Sequence, residues 1–181
     1  MKLLVDVCCG ICLLGVFPQI ENSNSYYFFS GDNICCEEEY SKRKDVFIKV
    51  CQYYNIKNWY IVPYNHLSYI RFIQGYEKEK EGGFRCQLCF EYRFENLIKN
   101  TNDLKINDEK EIFFSTTLSI SKYKDYQKIF LSGNKISDKY NKKFKFYEKN
   151  FRDEKFYLNG IRIAKELNLY RQKFCGCEFS K

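Results

Sequence analysis

Residues 2–12 read KLLVDVCCGIC, and this stretch decides the fold expected for the rest of the chain. Residues 2–7 form an apolar run of strand length, and the residues after them are expected to turn into a helix. Three thiols, those of Cys8, Cys9 and Cys12, stand at this turn. In parallel α/β sheets, sites form beyond the carboxyl ends of strands. The stretch therefore predicts a buried strand with a chemical site at its exit.

Strand-like runs alternate with helical patterns along the rest of the chain. Strands are expected at 2–7, 25–30, 59–64 and 111–116, and helices within 37–55 and at 67–78, 86–99, 121–130 and 156–168. The polar, Lys-rich segments 101–110 and 131–155 are expected to be surface loops and short helices. This alternation is typical of βαβ units, so it predicts an α/β fold with a parallel, doubly wound sheet flanked by helices. Without a repeat or an obvious linker, residues 1–181 are expected to form one domain.

Composition narrows the class of protein. The chain has 181 residues, 45% of them hydrophobic, which is enough for a substantial core. The net charge of +7 suits a polyanionic partner such as RNA, with simple solubility as the alternative explanation of the charge.

The apolar run 3–17 is too short to span a membrane and no cleavage site follows it. We therefore expect no membrane association and a cytoplasmic location, where ten cysteines indicate metal or redox chemistry.

Two further sets of cysteines lie far from the first. Cys86 and Cys89 share the inward stripe of the expected helix with Phe90, Arg93 and Leu97, and they fall in its first turn, where the helix dipole favours thiolates. Cys175 and Cys177 stand near the end of the chain, separated by one residue, a spacing that would strain a disulfide and suits redox or metal chemistry better. The tail that carries them is expected to dock onto the site.

The residues alone leave several interpretations of these thiols open. CGIC at 9–12 is also the spacing of a thioredoxin-type redox pair, and two pairs of cysteines can bind a structural zinc ion. Seven clustered thiols exceed what one zinc ion requires, whereas a [4Fe–4S] cluster takes four thiolates and leaves three for a second metal or a redox pair. Buried cysteines that act only as small apolar residues are the remaining alternative. Cys51 is expected in the core of its helix, and His66 at the exposed start of another.

Several motifs together resemble one family over essentially the whole chain. They are CCGIC (8–12), GGFRCQLCFEYRF (82–94), FFSTTLSIS (113–121), NLYRQKFCGCEFS (168–180) and the weaker FFSGDNICCEEEYSKR (28–43). In this order they resemble the QueH-type epoxyqueuosine reductases. The resemblance implies a two-electron removal of the epoxide oxygen that converts epoxyqueuosine to queuosine in the anticodon wobble position of tRNA. It also implies a Rossmann-like α/β fold related to nucleotide-hydrolase (HUP-like) domains, a [4Fe–4S] cluster with an adjacent mononuclear iron, and no cobalamin.

The same resemblance implies roles for individual residues. The expected cluster ligands are Cys8, Cys9, Cys86 and Cys89, with Cys12 as a ligand of the second metal. The expected catalytic residues are Cys12, Cys175, Cys177 and Asp6, the terminal pair serving as redox relay or metal contact. The expected substrate-binding residues are Asn33, Thr116, Thr117, Ser119, Tyr170, Arg171 and Gln172. A low-potential electron donor of the ferredoxin or flavodoxin kind and a monomeric state are also expected.

The chain departs from the family pattern at several positions, none of them a thiol. Asp6 stands where relatives usually have His, Gly10-Ile11 where they have Ala-Pro, and Asn65 where they have Asp. The changes at Asp6 and Asn65 leave open which residues bind the second metal and which residue is the general acid.

Two other functions stay as alternatives. One is another iron–sulfur tRNA-modifying enzyme, such as a thiolation catalyst, whose SGGxDS-type loop is absent; the other is a zinc-stabilised RNA-binding module without catalysis.

Overall fold

The computed structural model describes residues 1–21, 24–106 and 108–180, and this part of the chain contains five strands and six α-helices. The strands are β1 (Lys2–Val7), β2 (Ser25–Phe29), β3 (Trp59–Ile61), β4 (Ile112–Thr116) and β5 (Phe144–Phe146). The helices are α1 (Gly10–Val16), α2 (Glu37–Tyr53), α3 (His66–Phe72), α4 (Phe84–Asp103), α5 (Tyr126–Lys139) and α6 (Glu154–Glu166). Within these ranges, no helix is both long and apolar enough to cross a bilayer.

All five strands are parallel and lie in the order β3-β2-β1-β4-β5, with β1 in the centre. Every residue of β1 is buried, because helices cover both faces of the sheet. Leu3, Val5 and Val7 face a core shared with α1, α2 and α6, while Leu4 faces the core of α4 and α5. The predicted parallel α/β fold is confirmed, and its relation to nucleotide-hydrolase domains stays a prediction.

The strand order reverses at β1, and this reversal positions the site. From β1 the chain proceeds outward through β2 and β3 and then crosses back to β4 and β5. Asp6 of β1 lies beside Phe28 of β2 and Thr116 of β4. The connections after β1 and β4 therefore diverge to opposite faces and leave a crevice at the carboxyl ends of these strands.

The structure differs from the sequence-based expectation in the segment 131–155. This segment was expected to form loops and short helices, but it contains the second half of α5 and the edge strand β5. Phe146 of β5 pairs with Phe114 of β4, and its ring packs against α5 so closely that a Cβ atom on Gly133 would lie 2.3 Å from it. A three-residue strand is too short to show an alternating pattern, so its pairing is visible only in the folded chain.

Candidate functional site

The first set of thiols surrounds the start of α1. Cys9 is the N-cap of this helix, and its Sγ accepts the backbone N–H of Cys12 at 3.3 Å. The Sγ atoms of Cys8, Cys9 and Cys12 all lie within 4.8 Å of one another. Thr117 fixes Cys8 from the end of β4, since its Oγ1 accepts the Cys8 N–H at 3.0 Å and donates to the Cys8 Sγ at 3.3 Å. Three sulfurs this close together are a suitable ligand group for a metal.

Hydrogen bonds concentrate negative charge on one of these three sulfurs. The thiols of Cys12 and Cys8, the Cys12 N–H and the side-chain amide of Gln172 hold the pKa of Cys9 well below its ordinary value. The amide Nε2 of Gln172 lies 2.8 Å from the Cys9 Sγ. Hydrogen bonds to Cys8 and Cys9, together with burial, raise the pKa of Cys12. Cys9 is therefore the preferred thiolate of the group.

The second group of thiols combines α4 with the C-terminal tail. Burial raises the pKa of Cys89 to about 12, and Cys89 packs with Cys177 in a small apolar cluster. The Cys86 Sγ accepts the Gly82 N–H at 3.1 Å, and the Cys175 Sγ accepts from Lys124 Nζ at 3.1 Å. The inward stripe predicted for α4 is confirmed: Cys89, Phe90, Arg93 and Leu97 are buried and Cys86 is half-buried.

Cysteines of both groups line the same cavity, which has a volume of about 760 Å³. The cysteines that line it are Cys8, Cys12, Cys86, Cys89, Cys175 and Cys177. Cys9 lies behind this wall and is 1% exposed. None of the cysteines in the described ranges forms a disulfide. Three sets of thiols that are far apart in sequence thus line one cavity at the crevice beyond β1 and β4. Among the described residues, only the Sγ atoms of Cys8, Cys9 and Cys12 lie close enough together to share one metal ion; Cys86 and Cys89 are on the wall of the same cavity but outside this group.

The tail is fixed at the cavity by backbone contacts. The carbonyl oxygen of Gly176 accepts the Cys35 N–H at 2.8 Å, and Arg43 donates to the Cys175 carbonyl at 2.8 Å. Arg85, 1% exposed, donates to the Phe179 carbonyl at 2.8 Å. Because these hydrogen bonds pair backbone groups of the tail with residues from other parts of the chain, the tail is part of the folded structure. The predicted docking of the tail on the site is confirmed.

Replacing Gly176 with alanine is expected to loosen this tail. Gly176 has φ +110°, a backbone conformation that L side chains rarely adopt, and a Cβ atom there would lie 2.9 Å from a guanidinium nitrogen of Arg43. Strain of this kind costs about 1 to 3 kcal/mol, so amide exchange in residues 174–179 should accelerate. Hydrogen exchange with mass spectrometry measures the effect.

Gly75→Ala is the matched control, because Gly75 has φ +90° and no atom lies within 4 Å of its added Cβ. We expect this variant to lose stability through backbone strain alone and to keep the tail protected. Equal exchange of the tail in the Gly176→Ala variant and the wild type would contradict the account.

A buried ion pair lies between the two thiol groups. Arg93 of α4 donates from Nε and a terminal nitrogen to the carboxylate oxygens of Asp6, at 2.9 and 2.7 Å. Its other terminal nitrogen donates to Asn33 Oδ1 at 2.6 Å, and Thr116 Oγ1 donates to Asp6 at 2.7 Å. Burial raises the pKa of Asp6, and the guanidinium and the Thr116 hydroxyl oppose that rise. Arg93 thus joins α4 to the end of β1 and to the loop after β2, and Asp6 connects this pair to Thr116 at the end of β4.

The sequence analysis assigned no functional role to Arg93. Its guanidinium lines the cavity, and its positive charge acts on both Cys8 and Cys89. The sequence did contain a signal for this role, because Arg93 is a charged residue on the otherwise apolar stripe of α4. Charged residues are rarely buried without a partner, so its position indicates a buried ion pair.

The predicted substrate-binding residues fall into two groups. Asn33, Arg171 and Gln172 line the cavity. The others bond within the protein: Tyr170 donates to Glu39 at 2.7 Å, Ser119 donates to the Thr116 carbonyl at 3.2 Å, and Thr116 and Thr117 contact Asp6 and Cys8 as described above.

Asn65 and His66 have structural contacts at the start of α3. Asn65 is the N-cap of the helix, and its Oδ1 accepts the Ser68 N–H at 3.1 Å. An aspartate could cap the helix in the same way, so the departure at this position preserves the cap. His66 Nε2 lies 2.8 Å from Glu178, which connects α3 to the tail.

The helix predicted for 121–130 begins only at Tyr126. Asp125 is its N-cap and accepts the N–H groups of Gln127 and Lys128. Residues 121–124 instead form a turn on the rim of the cavity. An aspartate just before a helical pattern is an N-cap signal, and it would have placed the start correctly.

The profile of the family described as "Epoxyqueuosine reductase QueH" matches residues 3–181. The chain belongs to the QueH family. The QueH protein of Thermotoga maritima is 33% identical over 183 residues, which cover 98% of this chain and 88% of that protein. The QueH protein of Acinetobacter baylyi is 30% identical, with 99% and 80% covered. The QueH protein of Streptococcus pyogenes is 27% identical, with 99% and 70% covered. All three bear the name epoxyqueuosine reductase.

Proposed function

We propose that this QueH-family protein reduces epoxyqueuosine to queuosine in the anticodon wobble position of tRNA. The observation that carries the proposal is the convergence of three distant sets of thiols on one cavity, in a chain whose relatives are named for this reaction. Removing an epoxide oxygen consumes two electrons and two protons and yields an alkene and water. A site rich in reduced sulfur, with a cavity beside it, suits such a reaction.

The residues present fit an iron–sulfur cofactor. The ligand atoms gathered here are all sulfur, and thiolates are the preferred ligands of iron–sulfur clusters. When bound, such a cofactor supplies electrons singly, and an adjacent iron supplies Lewis acidity. The proposed cluster ligands are Cys8, Cys9, Cys86 and Cys89. Cys12 is the proposed ligand of an adjacent mononuclear iron, and Cys175 and Cys177 act as redox relay or metal contact.

N–H groups around the sulfurs support this assignment. Gln172 donates to Cys9, Gly82 to Cys86 and Lys124 to Cys175, as described above. Such outer contacts orient metal-bound thiolates and tune their basicity. Asp6, whose carboxylate oxygens are engaged by Arg93 and Thr116, contributes in this proposal by positioning Arg93 against both thiol groups.

The cavity volume suits a single nucleoside, since small-molecule sites in proteins measure roughly 300 to 1,000 Å³. Asn33, Arg171 and Gln172 supply polar groups on its wall for the modified base. Thr116 and Thr117 support the floor of the crevice, where their hydroxyls connect the end of β4 to Asp6 and Cys8, and Ser119 donates to the Thr116 carbonyl beside them.

The remaining parts of the proposal concern the location of the protein, its oligomeric state and its source of electrons. We propose that residues 1–181 act as one cytoplasmic domain and as a monomer. A low-potential ferredoxin- or flavodoxin-like protein is the proposed source of the two electrons.

The test is anaerobic reconstitution with iron and sulfide, followed by reaction with epoxyqueuosine-containing tRNA under reducing conditions. Mass analysis of the tRNA nucleosides should show the loss of one oxygen atom from the modified base. Unchanged epoxide in iron-loaded protein would overturn the proposal. One bound zinc ion without iron or sulfide would favour a zinc-stabilised RNA-binding module.

A further inference from the structure

We propose that Tyr123 is a stacking platform for a base next to the modified nucleotide, and that Lys122, Arg171 and Lys173 bind the neighbouring phosphates. This inference rests on the proposed function, because it takes the anticodon loop of tRNA as the occupant of the cavity. All four side chains line the cavity, and all four are exposed. The inference adds a surface that selects a nucleotide within RNA over a free nucleoside.

The exposure of Tyr123 is the first observation. Its side chain is 76% exposed, the highest value among the large apolar residues exposed in the described part of the chain. Of the aromatic residues that line the cavity, Tyr69 and Phe90 are buried and Phe174 is half-buried, whereas Tyr123 and Tyr157 are exposed, Tyr157 to only 36%. The phenol ring of Tyr123 is in reach of a ligand that enters the cavity.

The rigidity of the rim turn is the second observation. Arg152 donates to the carbonyl oxygens of Ser121 and Lys124, both at 2.7 Å, and the Tyr123 N–H donates to Ser121 Oγ at 3.3 Å. Lys124 is further held by Glu81 at 2.9 Å. Because the backbone on both sides of Tyr123 is fixed, the ring is presented at a small cost in conformational entropy.

The charge around Tyr123 is the third observation. The Nζ atom of Lys122 lies 5.4 Å from the centroid of the Tyr123 ring. Arg171 and Lys173 line the cavity from the tail, and neither belongs to any of the ion pairs formed within the described ranges. Cations without acidic partners around an exposed aromatic ring match the backbone and bases of single-stranded RNA.

This combination favours an RNA loop over a protein partner. Proteins recognise RNA sequence mainly in loops, whose splayed bases stack on aromatic side chains while basic groups bind the phosphates. A cavity that holds one nucleoside, with a ring at its rim, accommodates one flipped base and stacks an adjacent one.

Filter binding of an anticodon stem-loop RNA tests the surface without requiring turnover. Tyr123→Ala should weaken binding about five- to a hundred-fold, the range found for loss of one stacked base. Tyr123→Phe should bind as the wild type does, because the ring face carries the interaction. Tyr53→Ala is the matched control, since Tyr53 is 49% exposed at the end of α2 and is not a lining residue of the cavity; its affinity should be unchanged.

Two further measurements separate stacking from charge. In Tyr123→Trp the new indole fluorescence should be quenched by the stem-loop, as expected for a ring that stacks on a base. Lys173→Gln should reduce the slope of log affinity against log salt by about one, as expected for one lost phosphate contact.

The outcomes also separate this inference from the proposed function. Wild-type affinity in Tyr123→Ala would overturn the stacking platform, whether or not the protein reduces epoxyqueuosine. Conversely, a wild-type protein that binds the stem-loop through Tyr123 but leaves the epoxide intact would overturn the proposed function alone.

Discussion

Replacing Arg93 with methionine is expected to lower the free energy of unfolding by about 3 to 5 kcal/mol, the range found when a buried ion pair loses one partner. Methionine retains much of the length of the side chain but leaves the carboxylate of Asp6 without its counter-ion. Asp6 is 1% exposed and Arg93 is 2% exposed, so the pair is shielded from solvent in the wild-type protein and each charge depends on the other. Urea-induced unfolding of the metal-free proteins measures the difference.

The control for this variant is Arg162→Met. Arg162 pairs with Glu166 one turn further along α6, and both side chains are more than half exposed. An exposed pair of this kind contributes little, so the change should stay within about 0.5 kcal/mol. Similar losses in the two variants would show that the Asp6–Arg93 pair does not stabilise the fold.

A double-mutant cycle tests the pair itself. Asp6→Asn combined with Arg93→Met removes both charges, and the double variant should lose less stability than the sum of the single variants. The expected coupling is about 1 to 3 kcal/mol. Strict additivity would mean that each residue stabilises the protein through other partners, such as Asn33 and Thr116.

Cys89→Ala is expected to remove most of the bound iron while the protein stays folded. Cys89 lies on the cavity wall and belongs to the proposed cluster ligands. A cluster that loses one of four thiolates is expected to fall to roughly a tenth of the wild-type content or less. Iron and sulfide analysis after anaerobic reconstitution measures the loss, and circular dichroism checks the fold.

Cys51→Ala is the matched control for the loss of a thiol. Cys51 is buried in the core of α2 and is not a lining residue of the cavity. We expect about 1 kcal/mol of lost stability from the small void, with full iron and sulfide content. Full iron in Cys89→Ala would remove Cys89 from the ligand set.

The fold and the position of the first thiols at the exit of a strand were predictable from local patterns, whereas the union of the three thiol sets was expected from the resemblance to the QueH family. The apolar run of β1 is buried along its whole length, and the cysteines after it lie at the reversal of strand order. Likewise, the inward stripe of α4 was readable from helical spacing. Both features depend on residues that are close in sequence.

Two of the three features that sequence analysis missed depend on residues that are far apart. Arg93 contacts Asp6 across 87 residues and Asn33 across 60, and no local spacing reveals such partners. β5 is defined by its pairing with β4 and by the packing of Phe146 on α5, because its three residues have no pattern of their own. Tyr123 was assigned to a helix, and its exposure became visible only once Asp125 marked the true start of α5.

The contact between Gln172 and Cys9 spans 163 residues. The thiols that line the cavity come from residues 8–12 and 175–177, with Cys86 and Cys89 of α4 between them in the sequence. A short synthetic peptide that copies any one motif would therefore lack the other walls of the site and should not reproduce its metal chemistry. For the same reason, metal content could report on native folding in refolding trials or variant libraries.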